Sequence, residues 1–252
     1  MIDSINEYFD CIYVLNIERN VDRRINIQEK LNGLRYVFFE GVDGQKLDLE
    51  ELEQQSIYSS EDTIKNSYNR ELMSPNEVAC SYSHINIYKD VVEKGFERVL
   101  ILEDDIEIVL ESKADFNNAM SELDPNWDLL YFSHGPNNTK MPFAIWLRIY
   151  FIHPFINLFK KQKYSIDELK NSFPKNYSQH LEIAGRHWGS MAYAISSKGA
   201  KIILSDLLPI SRTADIALGN LCMKRKIKAY SMKKELFGVN LNIQTSINMK
   251  AI

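Results

Sequence analysis

The sequence predicts an α/β fold, a mostly parallel central sheet with helices on both faces. Three observations carry that expectation. Short apolar runs rich in β-branched and aromatic residues recur along the chain, segments with helical start and stop signals separate them, and polar clusters stand where several runs end. With 252 residues and 45% hydrophobic content, the chain has enough apolar material for a sizeable core.

The first run, "CIYVLNI" from Cys11, is a buried strand in this reading. Asn20 is placed to cap a helix from Val21 to about Leu31, with Ile25, Ile27 and Leu31 as its apolar positions and Gly33 beyond its end. "YVFFE" follows as a second strand and runs into "GVDG", Gly41 to Gly44, whose glycines allow a tight turn close to a ligand. Residues 45–73 are polar and resist assignment. "SPNE" then gives a strong helix start, with Ser74 as cap, Pro75 at the first position and Glu77 closing a capping box. That helix should run to about Glu93, with Gly95 past its end. Strand "RVLIL", an acidic cluster, a helix near Asp115 to Leu123 and strand "WDLLYFS" come next. After a long irregular middle, strand "SMAYAIS", helix "SKGAKIILSDL", a helix near Ala214 to Lys224 and strand "IKAYSM" complete the pattern.

Composition narrows the partners. The formal net charge of −4 provides no general attraction to nucleic acid, so no nucleic-acid partner is expected and an anionic ligand must be met by local groups. Three widely spaced cysteines, Cys11, Cys80 and Cys222, form no CxxC pair and point to neither a disulfide framework nor a zinc site. The opening "MIDSINEYFD" lacks the basic-then-apolar pattern of a signal peptide. A reducing, cytoplasmic setting is the resulting expectation.

The strand "VLIL" drives straight into Glu103, Asp104 and Asp105. Like charges about 4 Å apart repel by about 1 kcal/mol in water and roughly 4 kcal/mol at an effective dielectric of 20, so something should offset the crowding. On an extended backbone Glu103 and Asp105 share one side and Asp104 takes the other. Glu103 and Asp105 are then placed to share a hard divalent cation such as Mg²⁺ or Mn²⁺. The alternative is a solvated loop in which the carboxylates face water. In open α/β sheets, however, ligands sit at the carboxyl ends of strands, where Asn16, "GVDG" and the acidic triplet all fall.

The pieces "YVLNIERNVDRR", "FFEGVDGQKL", "LMSPNEVACSYSHINIYKDVV" and "VLILEDDIEI", in this order, resemble glycosyltransferase family 25. That family includes bacterial lipooligosaccharide galactosyltransferases and procollagen galactosyltransferases. The likeness is strong over about residues 11–110 and resumes more weakly at "GRHWGSMAYAISSKGAKIIL". It implies a GT-A-type nucleotide-sugar-binding fold over a single domain, 1–252. A donor half would span about 11–132 and an acceptor half about 133–252. It also implies a UDP-hexose donor, a divalent metal (Mn²⁺ or Mg²⁺) at the acidic motif, and inverting transfer to a glycan or lipid-linked acceptor. Many such folds draw a metal ligand from a late histidine. No histidine follows His187 here, which leaves Gln244 or solvent to complete the sphere. The stretch from about Gly135 to His180 departs from the family pattern.

Individual residues divide between site and scaffold roles. Asn16 meets the uracil or ribose, or else satisfies backbone groups at a strand end. Arg23 and Arg24 lie in a helix's first turn, where a bound diphosphate would relieve their conflict with the helix dipole; surface pairing with Asp22 or Glu18 is the alternative. Val42 and Asp43 belong to the glycine turn, with Asp43 either accepting from a ribose or stabilising its own turn. Ser83 and His84, on the helix before the acidic strand, and Glu103 and Asp104 complete the expected donor site. In "GRHWG", His187, Trp188 and Gly189 suit a sugar-binding loop, with core packing of Trp188 as the alternative. Asp215, at the start of a helix, is the expected base, since inverting transfer needs a carboxylate near the acceptor hydroxyl.

The segment Met141 to Tyr164 is the most apolar of the chain. Arg148 and its two prolines argue against a membrane-spanning helix. It is either a buried helix under the acceptor site or a peripheral membrane element, with Lys160, Lys161 and Lys163 facing anionic lipid. Two rival functions stay open, a metal-dependent hydrolase of nucleotide-diphosphate sugars and a non-catalytic glycan or partner module.

Overall fold

A computed structural model describes residues 1–67, 69–109, 113–133, 141–152, 164–187 and 189–239. The strands are β1 (Cys11–Asn16), β2 (Val37–Glu40), β3 (Arg98–Glu103), β4 (Ile106–Ile108), β5 (Leu129–Tyr131), β6 (Lys175–Asn176), β7 (Leu181–Ile183), β8 (Ala192–Ser196), β9 (Ala229–Met232) and β10 (Phe237–Val239). Eight of them form one sheet in the order β2-β1-β3-β8-β5-β9-β7-β6, while β4 and β10 pair separately and antiparallel. Six of the eight strands of the large sheet run one way; β8 and β7 run against them. The expected mostly parallel sheet therefore holds in strand direction. It needs one correction, because β8 enters antiparallel between β3 and β5, making the sheet mixed at its centre.

The helices are α1 (Ile2–Tyr8), α2 (Val21–Lys30), α3 (Leu49–Gln54), α4 (Ser60–Asn66), α5 (Pro75–Lys94), α6 (Lys113–Glu122), α7 (Phe143–Leu147), α8 (Ile166–Asn171), α9 (Ser197–Leu207) and α10 (Ala214–Met223). Period-2 alternation along the strands feeds two cores. Tyr13, Val99, Ile101, Tyr193 and Ile195 pack on one face with Ile85, Tyr88 and Val91 of α5, Ile203 of α9 and Leu218 of α10. Ile12, Val14, Leu100, Leu102 and Ala194 pack on the other with Ile5 of α1, Ile27 of α2 and Phe116 of α6. Helices thus cover both faces, as expected.

Local signals account for several boundaries. The Ser74–Glu77 capping box closes in both directions at the start of α5, and Gly95 ends that helix at φ +70°. The α2 start is different: Asn20 makes no side-chain capping bond, because its backbone departs from the extended geometry that a cap requires. Two short helices fill the polar stretch that resisted assignment, with Asp48 and Ser59 capping α3 and α4. Within 141–164, α7 continues into a π-helical turn over Arg148–Ile152. No helix among the described residues is long and apolar enough to cross a membrane.

Candidate functional site

Strand register brings the predicted site together. In the parallel trio β2-β1-β3, Asn16 lies opposite Glu40 and Leu15 opposite Glu103, so the chain leaves all three strands at the same edge. A cleft opens there. Its walls include Asn16, Arg19, Arg23, Val42, Gly44, Asn76, Cys80, Ser83, Glu103 and Asp104. Arg19 and Cys80 were not among the predicted residues. Arg19 was legible as a cation three residues past a strand-end asparagine; Cys80, a lone cysteine within a helix, carried no local signal.

The acidic turn divides between the two faces of the sheet. Glu103 follows Ile101 toward α5, and Asp104 follows Leu102 toward α2. There Asp104 accepts from Asn16 Nδ2 at 2.7 Å and pairs with Arg23 at 2.6 Å. Burial raises the Asp104 carboxyl's pKa, and Arg23 only partly opposes it. Asp104 thus supplies, within the protein, a negative charge that offsets Arg23's conflict with the α2 dipole. Arg24 is turned away from the cleft, with its guanidinium 4.1 Å from the centre of the Phe38 ring.

Asp105 sits past the strand end, where the chain turns into β4. It reaches Arg23 at only 3.7 Å, and its buried Oδ1 has no hydrogen-bond partner. Burial first, then the charge of Glu103, push its pKa up to about 7. A carboxylate pair with an unpartnered buried oxygen fits a hard divalent cation, which would offset both the desolvation and the repulsion. Among the described residues no three His, Cys, Asp or Glu side chains converge as a metal cage. Gln244 lies outside the described residues.

Behind Glu103 runs a buried chain of hydroxyls and one imidazole. Tyr88 and Tyr193 phenol oxygens are 2.6 Å apart, Tyr193 lies 2.8 Å from His84 Nδ1, and Ser190 Oγ stands 3.4 Å from His84 Nε2 and 3.3 Å from Glu103. One polarity satisfies every member. Tyr88 donates to Tyr193, Tyr193 to His84 Nδ1, His84 Nε2–H to Ser190, and Ser190 to the carboxylate. His84 itself is fully buried and does not line the cleft.

The glycine turn is held by α5. Ser83 accepts from the Val42 N–H at 2.8 Å while donating to the Ala79 carbonyl at 2.7 Å, so its observed bonds are structural. A Cβ on Gly44 would stand 2.8 Å from Asn76 Cα, which shows how closely this turn approaches the α5 N-terminus. Asp43 accepts from the Gln45 N–H at 2.9 Å in its own turn and pairs with Arg19 at 2.9 Å; it is not part of the cleft wall.

Among the residues expected to serve the acceptor, Gly189 (φ +85°) donates its N–H to Asp215 Oδ2 at 3.2 Å, and the other Asp215 oxygen accepts from Thr213 and from the Ile216 N–H. His187 is buried with its ring edge-on to Tyr131 at 4.7 Å, set in the core and not open to an acceptor. Trp188 lies outside the described residues. Burial and then the charges of Glu103, Asp215, Asp105 and Glu77 raise the pKa of the Cys80 thiol.

A family model described as "Glycosyltransferase family 25 (LPS biosynthesis protein)" matches residues 9–218. Procollagen galactosyltransferase 2 of Mus musculus is 26% identical over 139 residues, covering 53% of this chain and 22% of that protein. A glycosyltransferase 25 family member of Anopheles gambiae is 26% identical over 218 residues, 83% of this chain and 32% of that protein. Inactive glycosyltransferase 25 family member 3 of Homo sapiens is 25% identical over 145 residues, 54% of this chain and 24% of that protein. The chain thus spans less than a third of the length of these relatives. With the family match extending from β1 through the first half of α10, and so across the whole acidic cleft, the chain belongs to glycosyltransferase family 25.

Proposed function

We propose that this chain is a metal-dependent, inverting hexosyltransferase. It moves galactose or glucose from a UDP-sugar to a hydroxyl of a glycan or lipid-linked acceptor in cell-surface polysaccharide synthesis. The observation that carries the reading is the acidic turn, where Glu103 lines the cleft and its charge bears on Asp105, whose buried Oδ1 lacks a hydrogen-bond partner. Family membership and the galactosyltransferase name of the Mus musculus relative support the sugar chemistry. Residues 11–132 would form the donor half and 133–252 the acceptor half.

Glu103 and Asp105 would hold Mn²⁺ or Mg²⁺, with Gln244 or solvent beyond them; the ion would neutralise the diphosphate and stabilise departing UDP. The residues of the chain do the rest. Asn16 and Arg23 fix Asp104 and so the shape of the acidic turn, while Arg19 offers the cleft a cation for the diphosphate. The Ser83-held turn brings backbone close to the nucleoside. Asp215 takes the proton of the attacking hydroxyl through Oδ2, whose contact with Gly189 at 3.2 Å is its longer bond.

Calorimetric titration of UDP- and GDP-sugars, with and without Mn²⁺, on the native chain and on Asp105→Asn tests the reading. Metal-dependent binding of one UDP-hexose, lost in the variant, is the expected result. Cleavage of the donor that no acceptor accelerates would favour a hydrolase. Absence of nucleotide binding under every condition would favour a non-catalytic role, as the name of the human inactive relative illustrates for its own case.

A further inference from the structure

The helical run Phe143–Ile152 reverses the usual arrangement of a surface helix. Of its described side chains Ile149 alone is buried, whereas Phe143 is 72% exposed, Phe151 58%, Tyr150 43% and Trp146 38%. The rings gather on one another, with Trp146 lying 5.7 Å from Phe143, 5.0 Å from Tyr150 and 5.8 Å from Phe151. A monomer in water gains nothing from presenting four adjacent aromatics, so a contiguous patch of this kind marks an interaction surface.

Charge identifies the partner. Lys170 stands 4.4 Å over the Tyr150 ring, and burial, then the nearby charges of Arg225 and Lys170, depress the Lys175 ammonium. Lysines 170 and 175 line an open cleft together with Met141, Tyr150, Phe173 and Pro174. The acids nearby are Asp167, 3.8 Å from Lys170, and Glu168, already engaged in the Ser165 capping box. From Met141 to Lys175 the sequence holds six Lys or Arg against two Asp or Glu, in a chain whose net charge is −4. Three of those six, Lys160, Lys161 and Lys163, lie outside the described residues and form no part of the site. A second copy of this face would set like charges against each other, which disfavours self-association.

We propose that the exposed aromatics of 143–151, with Lys170 and Lys175, form a peripheral docking surface for an anionic lipid bilayer. The rings enter the headgroup boundary and the ammonium groups meet lipid phosphates. Helix α8 packs against both the π-helical turn and α10, whose first turn carries Asp215, so the docked face is mechanically tied to the acceptor side of the cleft. The inference does not depend on the transfer chemistry.

Flotation of the full chain with vesicles of phosphatidylcholine, alone or mixed with phosphatidylglycerol, tests it without donor or acceptor. Native protein is expected to float with the mixed vesicles, to release with added salt, and to ignore the zwitterionic ones. Each of Lys170→Gln and Lys175→Gln should weaken partitioning by about fivefold, and Phe143→Ser with Phe151→Ser by tenfold or more, all with unchanged melting temperature. Three results would overturn the proposal: no flotation with either vesicle, flotation unchanged in the aromatic variant, or lipid-free dimerisation abolished by that variant. Displacement by inorganic phosphate well beyond that by sodium chloride at equal ionic strength would overturn it as well, by reducing the face to a soluble-anion site.

Discussion

Asp105 carries the clearest single-residue signature, because the same burial that suits it to a cation destabilises the ligand-free protein. Its folded carboxyl titrates near 7 against an ordinary 3.8, so the folded state holds a proton that the unfolded chain has released. Stability therefore falls as pH rises from about 4 to 7, and the full penalty is present above that window. Asp105→Asn should raise the melting temperature of ligand-free protein at about pH 8, with the gain vanishing near pH 4, while metal-dependent donor binding is lost; melts at both pH values check it. Tyr193→Phe probes the chain behind Glu103. The lost hydroxyl leaves His84 Nδ1 and Tyr88 without their shared partner, so a loss of about 1–3 kcal/mol is expected in urea unfolding. Donor affinity should drop severalfold, although Tyr193 touches no part of the cleft; unchanged affinity would show that the chain is purely structural.

At the scale of elements, the glycine turn and α5 act as one unit. Gly44→Ala would drive a Cβ to 2.8–2.9 Å from Asn76 backbone atoms, and neither partner can yield without parting the turn from the helix. A loss of about 1–3 kcal/mol with weakened donor binding is expected. Gly95→Ala, with nothing within 4 Å but φ at +70°, should cost about 1 kcal/mol and leave binding intact, which calorimetry on both variants distinguishes. The α5 boundaries were legible because Ser74, Pro75, Glu77 and Gly95 act within one or two turns. Asp48 and Ser59 gave equally local cap signals for α3 and α4, but helices of 6 and 7 residues show too little apolar periodicity for the signal to be read. Strands β6 and β7, of 2 and 3 residues, exist only because β9 and its neighbours offer an edge.

Across the whole molecule, the position of the cleft followed from the sequence, whereas most of its internal wiring did not. Asn16, Val42, Glu103 and Asp104 mark strand ends, and strand ends in an α/β sheet converge whatever the loops do. The partners that define them are long-range: Arg23 finds Asp104 across 81 residues and His84 finds Tyr193 across 109, distances over which no local pattern operates. The reversed direction of β8 was hidden for the same reason, since pairing is decided by the connections and not by the strand. The acidic turn, a locally costly feature held by the global fold, makes stability itself a reporter of ligand. A donor that binds only the folded state adds about 2.7 kcal/mol at a hundredfold excess over Kd, which for a chain of 252 residues corresponds to a rise of roughly 5–10 °C. Native protein with a UDP-hexose and Mn²⁺ is expected to show that rise, and excess chelator to remove it. Asp105→Asn should show none, despite starting from a higher melting temperature at about pH 8. A rise that survives chelation would refute the metal but keep the donor, and no rise with any nucleotide sugar would refute both.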